Sequence, residues 1–289
     1  MMDLKQVFFK MEATGNDYIY FDFLDLEFHP SRVNEKVIPL ICDRRFGVGA
    51  DGIVVIAKSD IALAKMWMWN SDGSYSKICG NALRSVGLYL FKKYHQKDFL
   101  VESGVGIHQI QILNDFDTFG IIKVDMGEPI LDVEKIPYKS TMNQEQNRFY
   151  DPTLIDKEGI VVSMGNPHCV FFVEDAKTIP LKEIGPKIEH HSSFPERTNV
   201  EFVEILEDKT LYQRTWERGS GETLACGSGA CAVLVASVIE KGLPRKNTIH
   251  LDGGDLEIEW NENTNHIYMT GKAKFVYKGE LMRDFFLFW

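Results

Sequence analysis

The chain has 289 residues, 44% of them hydrophobic and 26% charged, with a formal net charge of −10 at pH 7. That length suits two domains of ordinary size, and that composition builds a packed core, which excludes a disordered chain. A negative field repels a phosphate backbone, so nucleic acid is not an expected partner.

The opening MMDLKQVFFKMEATGNDY has no basic start followed by a long apolar run, so it does not read as a signal peptide. Thr14-Gly15-Asn16-Asp17 then reads as a turn leading into the strand-like Tyr18-Ile19-Tyr20-Phe21. Gly47-Val48-Gly49-Ala50-Asp51-Gly52 matches G-x-G-x-x-G. That pattern cradles a dinucleotide only between a strand and a helix, and here the strand-like Ile53-Val54-Val55-Ile56 follows, so no dinucleotide is expected. Further strands are predicted at Met66–Trp69, Ile107–Leu113, Phe119–Gly127, Val200–Ile205, Gln213–Trp216 and Leu256–Trp260. The polar stretch Asn143–Asp156 reads as a loop. Two helices are apolar all round, which marks core helices. One runs from Gly80 through Ala82, Leu83, Val86, Leu88, Leu90 and Phe91; the other runs from Gly227 through Ala230, Val233, Leu234, Val235 and Ile239, with Gly242 and Pro244 marking its end. The apolar tail from Leu281 to Trp289 is far shorter than the ~20 residues a membrane helix needs. Five cysteines without framework spacing suit a reducing compartment, so the protein is expected in the cytoplasm, with no membrane partner.

The chain repeats itself. MWMWNSDGSYSKICGNALRSVGLYL, from Met66, and QRTWERGSGETLACGSGACAVLVAS, from Gln213, share one plan. A strand ends in Trp (Trp69, Trp216), a polar residue follows (Asn70, Glu217), then a turn-rich stretch, Cys-Gly (Cys79-Gly80, Cys226-Gly227) and an apolar helix. The offset is 147 (226 − 79), and the Gly-Asn turns at Gly15-Asn16 and Gly165-Asn166 repeat at 150 (166 − 16). Duplicated halves are therefore predicted: an α+β fold of short strands wrapped around one buried helix per half, with 1–123 plus 277–289 forming the first and 124–276 the second.

Each repeated cysteine stands where a buried helix begins. Unpaired N–H groups and the partial positive charge there favour thiolate, and a cysteine of pKa ~8.5 falls to ~3.5–7.5 at such places. The same N–H groups seat a carboxylate. Two such thiols suit inversion of a carbon, one removing a proton from one face while the other returns one to the opposite face. The readings to set against this are cysteines as small buried hydrophobes, which is the expectation for Cys42, Cys169 and Cys231, and an inactive disulfide between Cys79 and Cys226 on oxidation. Zinc is not expected: no C-x2-C pair exists and the histidines lack ligand spacing.

Over nearly its whole length the chain resembles the diaminopimelate epimerases. The resemblance rests on Lys10-Met11 with Gly15-Asn16-Asp17, FGVGADG at 46–52, NSDGS at 70–74, CGN at 79–81, GNPHC at 165–169, NVEF at 199–202 and ERGSGETLACGSGA at 217–230. It implies two pseudo-symmetric domains, each a curled, mostly antiparallel sheet around a central buried helix, with an active site in the cleft between them. It implies that Cys79 and Cys226 are the catalytic bases, without pyridoxal phosphate, metal or any other cofactor. Backbone N–H groups around Gly80, Asn81, Gly227 and Ser228 would hold the reacting carboxylate, and Glu217 the reacting ammonium. Asn16, Asn70, Asn166, Asn199 and Arg218 would grip the rest of the substrate, with Arg218 on the far carboxylate. His168 would help position a thiol or its proton, or else be structural. The implied reaction converts LL-2,6-diaminopimelate to the meso form in lysine and peptidoglycan precursor synthesis, and the implied assembly is a homodimer.

The chain departs from the family's usual pattern in four places. Asn81 is followed by Ala82-Leu83-Arg84 where Gly-Ala-Arg is usual, and Glu12-Ala13-Thr14-Gly15 replaces His-Gly-Leu-Gly. Gly52 stands where some members carry Gln, and the apolar tail extends past the usual end. A racemase for another amino acid on the same scaffold and a catalytically dead binding protein are the rival readings.

Overall fold

The computed structural model describes residues 6–140, 147–282 and 287. The chain divides into two units, Met1–Val124 with Gly271–Trp289 and Asp125–Thr270, so it crosses the boundary twice.

In the first unit, β1 (Gln6–Ala13) and β2 (Asn16–Phe23) form a hairpin. Its turn places Thr14 and Gly15 at φ 56° and 78°, the left-handed region that a side chain adopts reluctantly. After α1 (Ile38–Cys42), β3 (Gly52–Ala57) lies parallel to β2, and β4 (Ala64–Asn70) antiparallel to β3. Two-residue β5 (Tyr75–Ser76) pairs with β4, and α2 (Gly80–Tyr94) follows. Then β6 (Asp98–Ser103) joins β4 in parallel, β7 (Gly106–Asp115) folds back on β6, and β8 (Phe119–Asp125) on β7.

The second unit repeats this plan. Strand β9 (Arg148–Asp151) pairs with β10 (Ile155–Ser163), and β10 forms a hairpin with β11 (Pro167–Phe172). After α3 (Leu181–Glu189), β12 (Asn199–Ile205) lies parallel to β11 and β13 (Leu211–Glu217) antiparallel to β12. Short β14 (Gly221–Thr223) pairs with β13 and leads to α4 (Gly227–Lys241); β15 (Lys246–Leu251) then joins β13 in parallel, and β16 (Gly254–Trp260) folds back on it. The last strand, β17 (Ile267–Leu281), pairs with β1 over residues 274–281. The repeat extends to register. Ile53 faces Trp69 as Val200 faces Trp216, and Trp69 faces Tyr75 as Trp216 faces Glu222.

Both central helices are buried, α2 from Gly80 to Phe91 and most of α4 from Gly227 to Ser237. An apolar helix is stable only when its surface leaves water, and each fully buried Val or Leu contributes about 1.5–3 kcal/mol toward that. Gly87 lets α2 approach β7 closely, since a Cβ there would stand 2.6 Å from Ile110 Cγ2. Each helix ends on a left-handed residue, His95 (φ 59°) and Gly242 (φ 63°). One apolar cluster gathers Phe8, Ile19, Phe21, Ile53 and Trp69 in the first unit, and another gathers Phe149, Phe171, Val200 and Phe202 in the second.

Residues 148–151 and 155–156 correct the predicted loop at 143–156: they are strand. Polar composition hid the apolar anchor Phe149, which is 1% exposed and meets Phe171 edge-on at 6.1 Å. Residues 143–146 of that loop lie outside the described ones. Of the tail, Leu281 and Leu287 join the first unit's core, and Leu287 is tied by its N–H to Gln6 Oε1 and by its carbonyl to Asn34 N. The remaining tail residues from 283 on lie outside the described ones. Among the described residues no helix is long and apolar enough to cross a membrane.

Candidate active site

Cys79 and Cys226 are the N-cap residues of α2 and α4, each with extended backbone before the first helical turn. Their surroundings differ. The Cys226 sulfur accepts the Gly229 N–H at 3.3 Å, as an N-cap side chain does. The Cys79 sulfur makes no such cap bond and instead donates to Asn16 Oδ1 at 3.3 Å.

Around Cys79, the hairpin turn brings Asn16 to the start of α2. Asn16 Oδ1 also receives the Asn81 side-chain amide at 3.4 Å, and Asn16 Nδ2 donates to Asp51 Oδ2 at 2.7 Å. Asp51 is held by the Asp17 N–H and by Arg44, which also grips Asp17 with two nitrogens. Burial pushes the Asp17 carboxyl up, but Arg44 and Lys10 outweigh it and hold it below the ordinary range. Asn70 is spent locally: its backbone N–H and side-chain amide both bond Ser74 across the turn after β4.

Around Cys226, Asn166 Nδ2 donates to Ser228 Oγ at 3.4 Å, and Ser228 Oγ lies 3.6 Å from the sulfur. His168 is fully buried, with Nδ1 2.8 Å from Glu201 Oε1 and Nε2 3.1 Å from Asn166 Oδ1. Glu217 Oε1 accepts from Thr223 Oγ1 at 2.5 Å. Asn199 is buried and structural in its bonds, donating to the Pro167 carbonyl and accepting the Arg218 N–H. It thereby fixes the backbone from which the Arg218 side chain leaves toward the Glu196 carbonyl.

At Cys226 the helix start's pull toward thiolate meets opposing effects. Burial raises this thiol well above its ordinary value, and the negative fields of Glu217 and Glu201 add to that. The Ser228 and Gly229 hydrogen bonds pull the other way and are outweighed. Cys42, Cys169 and Cys231 are buried and unbridged; burial takes the Cys42 thiol up to about 12.

One ring nitrogen of His168, a Glu201 carboxylate oxygen and the Cys226 sulfur lie within 4.8 Å of one another, a grouping of potential metal donors absent from the sequence reading. The 2.8 Å gap between His168 and Glu201 is that of a shared proton, tighter than two ligands ~2 Å from a tetrahedral zinc stand from each other. A cation could take these atoms only by breaking that hydrogen bond.

Known proteins match this pattern. The diaminopimelate epimerase family profile matches residues 8–131 and 160–276, spans that hold both cysteines and the side chains around them. The chain belongs to the diaminopimelate epimerase family. It is 50% identical to a diaminopimelate epimerase of Acetivibrio thermocellus over 281 residues, covering 95% of this chain and 98% of that one. A diaminopimelate epimerase of Methanococcus maripaludis is 47% identical over 281 residues, covering 95% and 99%. Solved structures share the fold at low identity. A hydroxyproline epimerase of Agrobacterium vitis aligns with TM-score 0.69 at 11% identity, covering 98% of this chain and 94% of that one. A phenazine-biosynthesis family protein of Bacillus anthracis aligns with TM-score 0.67 at 16% identity, covering 96% and 99%.

Within each unit the family's residues converge on a cysteine: Asn16 and Asn81 on Cys79, Asn166 and Ser228 on Cys226. Sequence reasoning missed Asp51 and Glu201. Glu201 set among Val200, Phe202 and Val203 in a strand-like run was a signal, because a carboxylate enters such a strand only with a partner, and it is indeed buried. The Gly52 departure also has a physical reason: a Cβ there would fall 2.1 Å from the Trp69 carbonyl oxygen and 2.9 Å from Tyr18 Cε1.

Proposed function

We propose that the chain interconverts LL- and meso-2,6-diaminopimelate, with Cys79 and Cys226 acting on opposite faces of one α-carbon. The observation that carries this reading is the duplicated helix start, a cysteine at each N-cap inside a chain 47–50% identical to diaminopimelate epimerases over nearly full length.

In the proposed step one sulfur, as thiolate, takes the α-hydrogen as a proton. The C–H electron pair stays on the carbon and spreads into the carboxylate. The other sulfur, as thiol, delivers its proton to the opposite face. The groups proposed to hold the carboxylate are the N–H groups of Gly80, Asn81, Gly227 and Ser228, which the first turns of α2 and α4 leave without helical partners. Glu217 is proposed to take the reacting ammonium. That contact supplies its own activation: a cation on Glu217 cancels one of the negative fields that keep Cys226 protonated, so binding favours the thiolate. Arg218 is proposed for the distal carboxylate, with Asn16, Asn70, Asn166 and Asn199 shaping the remaining contacts.

This activity belongs to lysine and peptidoglycan precursor synthesis, and we place the enzyme in the cytoplasm as a homodimer that needs no cofactor. Purified protein assayed with LL-diaminopimelate and with single-centre amino acids tests the reading. Turnover of LL-diaminopimelate with solvent deuterium entering the α-position supports it. Turnover of another amino acid alone would make the chain a racemase of different substrate, and no exchange with any would make it a binding protein.

A further inference from the structure

The two hairpin turns that deliver Asn16 and Asn166 are built differently. Strands β1 and β2 pair as far as Ala13 with Asn16, so their turn is Thr14-Gly15, and both residues are left-handed. Two-residue turns of this kind favour Asn and Gly, and a β-branched threonine at φ 56° is held against its preference. In the second unit's matching turn Gly165 is left-handed and Met164 is not. Such strain persists only where the surroundings over-determine it. At Thr14 the determining neighbour is Arg84, whose Nη2 donates to Thr14 Oγ1 at 2.6 Å; the two residues are 6% and 0% exposed. Arg84 lies in α2, five residues after Cys79, and its Nε donates at 3.4 Å to the Lys272 carbonyl in β17, the strand that pairs with β1. A guanidinium taken out of water must set its N–H groups on acceptors, so it fastens helix, strand and turn at one point. At the repeat's offsets of 147 and 150, Cys231 answers Arg84 and Met164 answers Thr14, so the second unit has neither cation nor hydroxyl at these places.

We propose that Thr14 and Arg84 are positioning residues for Cys79, acting through Asn16. The proposal rests on the epimerase reading above, in which Cys79 works on the α-proton. Asn16 stands two residues beyond Thr14, and its Oδ1 accepts the Cys79 S–H at 3.3 Å and the Asn81 amide at 3.4 Å. The Arg84 bond holds the turn in its strained form and thereby fixes where the Asn16 backbone stands over the sulfur. Without the hydroxyl the threonine turn relaxes, and Asn16 moves off Cys79. The pair is particular to this version of the turn, since Thr14 stands where His-Gly-Leu-Gly members carry Leu.

Thr14→Val keeps the branched shape and loses the hydroxyl. It should lower kcat about tenfold, whereas Thr14→Ser, which keeps the hydroxyl, should stay within about twofold of the unchanged enzyme; both effects lie below the roughly 10²–10⁴-fold of a positioned acid or base itself. Thr14→Gly relieves the backbone strain but also loses the hydroxyl, so kcat should fall as in Thr14→Val while the melting temperature holds within about 4 °C. Arg84→Lys keeps the charge, but its ammonium stops one bond short of Nη2, so it too should lower kcat about tenfold, and adding Thr14→Val should lower it no further. One readout needs no turnover. Iodoacetamide labelling followed by peptide mass spectrometry should show Cys79 alkylated about threefold faster in Thr14→Gly, because Asn16 no longer covers its sulfur, with Cys226 alkylated at the unchanged rate. Equal acceleration at both thiols, kcat lost only in step with melting temperature, or an unchanged kcat in Thr14→Val overturns the proposal. An unchanged enzyme that turns over no diaminopimelate defeats the epimerase reading instead, and the labelling still decides whether Thr14 and Arg84 hold Asn16 on Cys79.

Discussion

Asp51 decides which end of Asn16 faces Cys79. The Asp51 carboxylate only accepts hydrogen bonds, and it takes Asn16 Nδ2 at 2.7 Å, so the amide oxygen is the end turned to the sulfur at 3.3 Å. The amide oxygen thus accepts the S–H of Cys79 and fixes where its proton points.

Asp51→Asn removes that constraint, because an amide in place of the carboxylate can donate to Asn16 and let its carboxamide turn. We expect kcat to fall by about one order of magnitude, less than the roughly 10²–10⁴-fold a positioned acid or base supplies, because Asp51 acts through Asn16. Stability should change little, since Arg44 and Asp51 are 58% and 38% exposed and such surface pairs contribute about 0–1 kcal/mol. Steady-state kinetics with a thermal melt checks this, and an unchanged kcat would remove Asp51 from the account.

The matched glycine and alanine at the two helix starts predict unequal tolerance. Gly229→Ala places a Cβ 2.7 Å from Glu201 Oε1 and 3.0 Å from Gln213 Nε2, both buried, so overpacking should cost about 1–3 kcal/mol and disturb Cys226. Ala82→Gly should cost about 1 kcal/mol through helix propensity. Urea unfolding of the two variants compares them; equal costs would contradict the tight fit of Glu201 against α4.

Alkaline stability should fall because buried thiols stay protonated in the fold. The Cys42 thiol is raised to about 12 by burial, against about 8.5 in an unfolded chain. Below the unfolded value its contribution is intact. As pH rises toward the folded value the unfolded chain ionises first, and each such thiol removes up to about 1.4 kcal/mol per pH unit. Unfolding free energies at pH 8, 9 and 10 should decline, and Cys42→Ala should make the decline shallower by one thiol. An unchanged slope would refute this.

Local pattern carried much of the fold. The Cys-Gly starts of α2 and α4 and the Trp69 and Trp216 strand ends stand out in the sequence because each is a few residues long and occurs twice. Pairings across distance were harder. His168 and Glu201 meet through a parallel register joining segments 33 residues apart, and no local pattern announces that. Strand β9 was hidden because its one strongly buried residue, Phe149, sits among polar neighbours. The surroundings of Cys226 were hidden for a related reason: the helix start is local and visible, whereas the burial and the carboxylates that raise its thiol come from the assembled unit.

In the proposed reaction each of two sulfurs handles the α-proton on its own face. The most direct test follows the α-hydrogen of LL-diaminopimelate by NMR in heavy water with the unchanged enzyme, Cys79→Ala and Cys226→Ala. Two-thiol chemistry leaves deuterium in the epimerised product of the unchanged enzyme and allows no inversion by either variant. Inversion at the unchanged rate by either variant would contradict it.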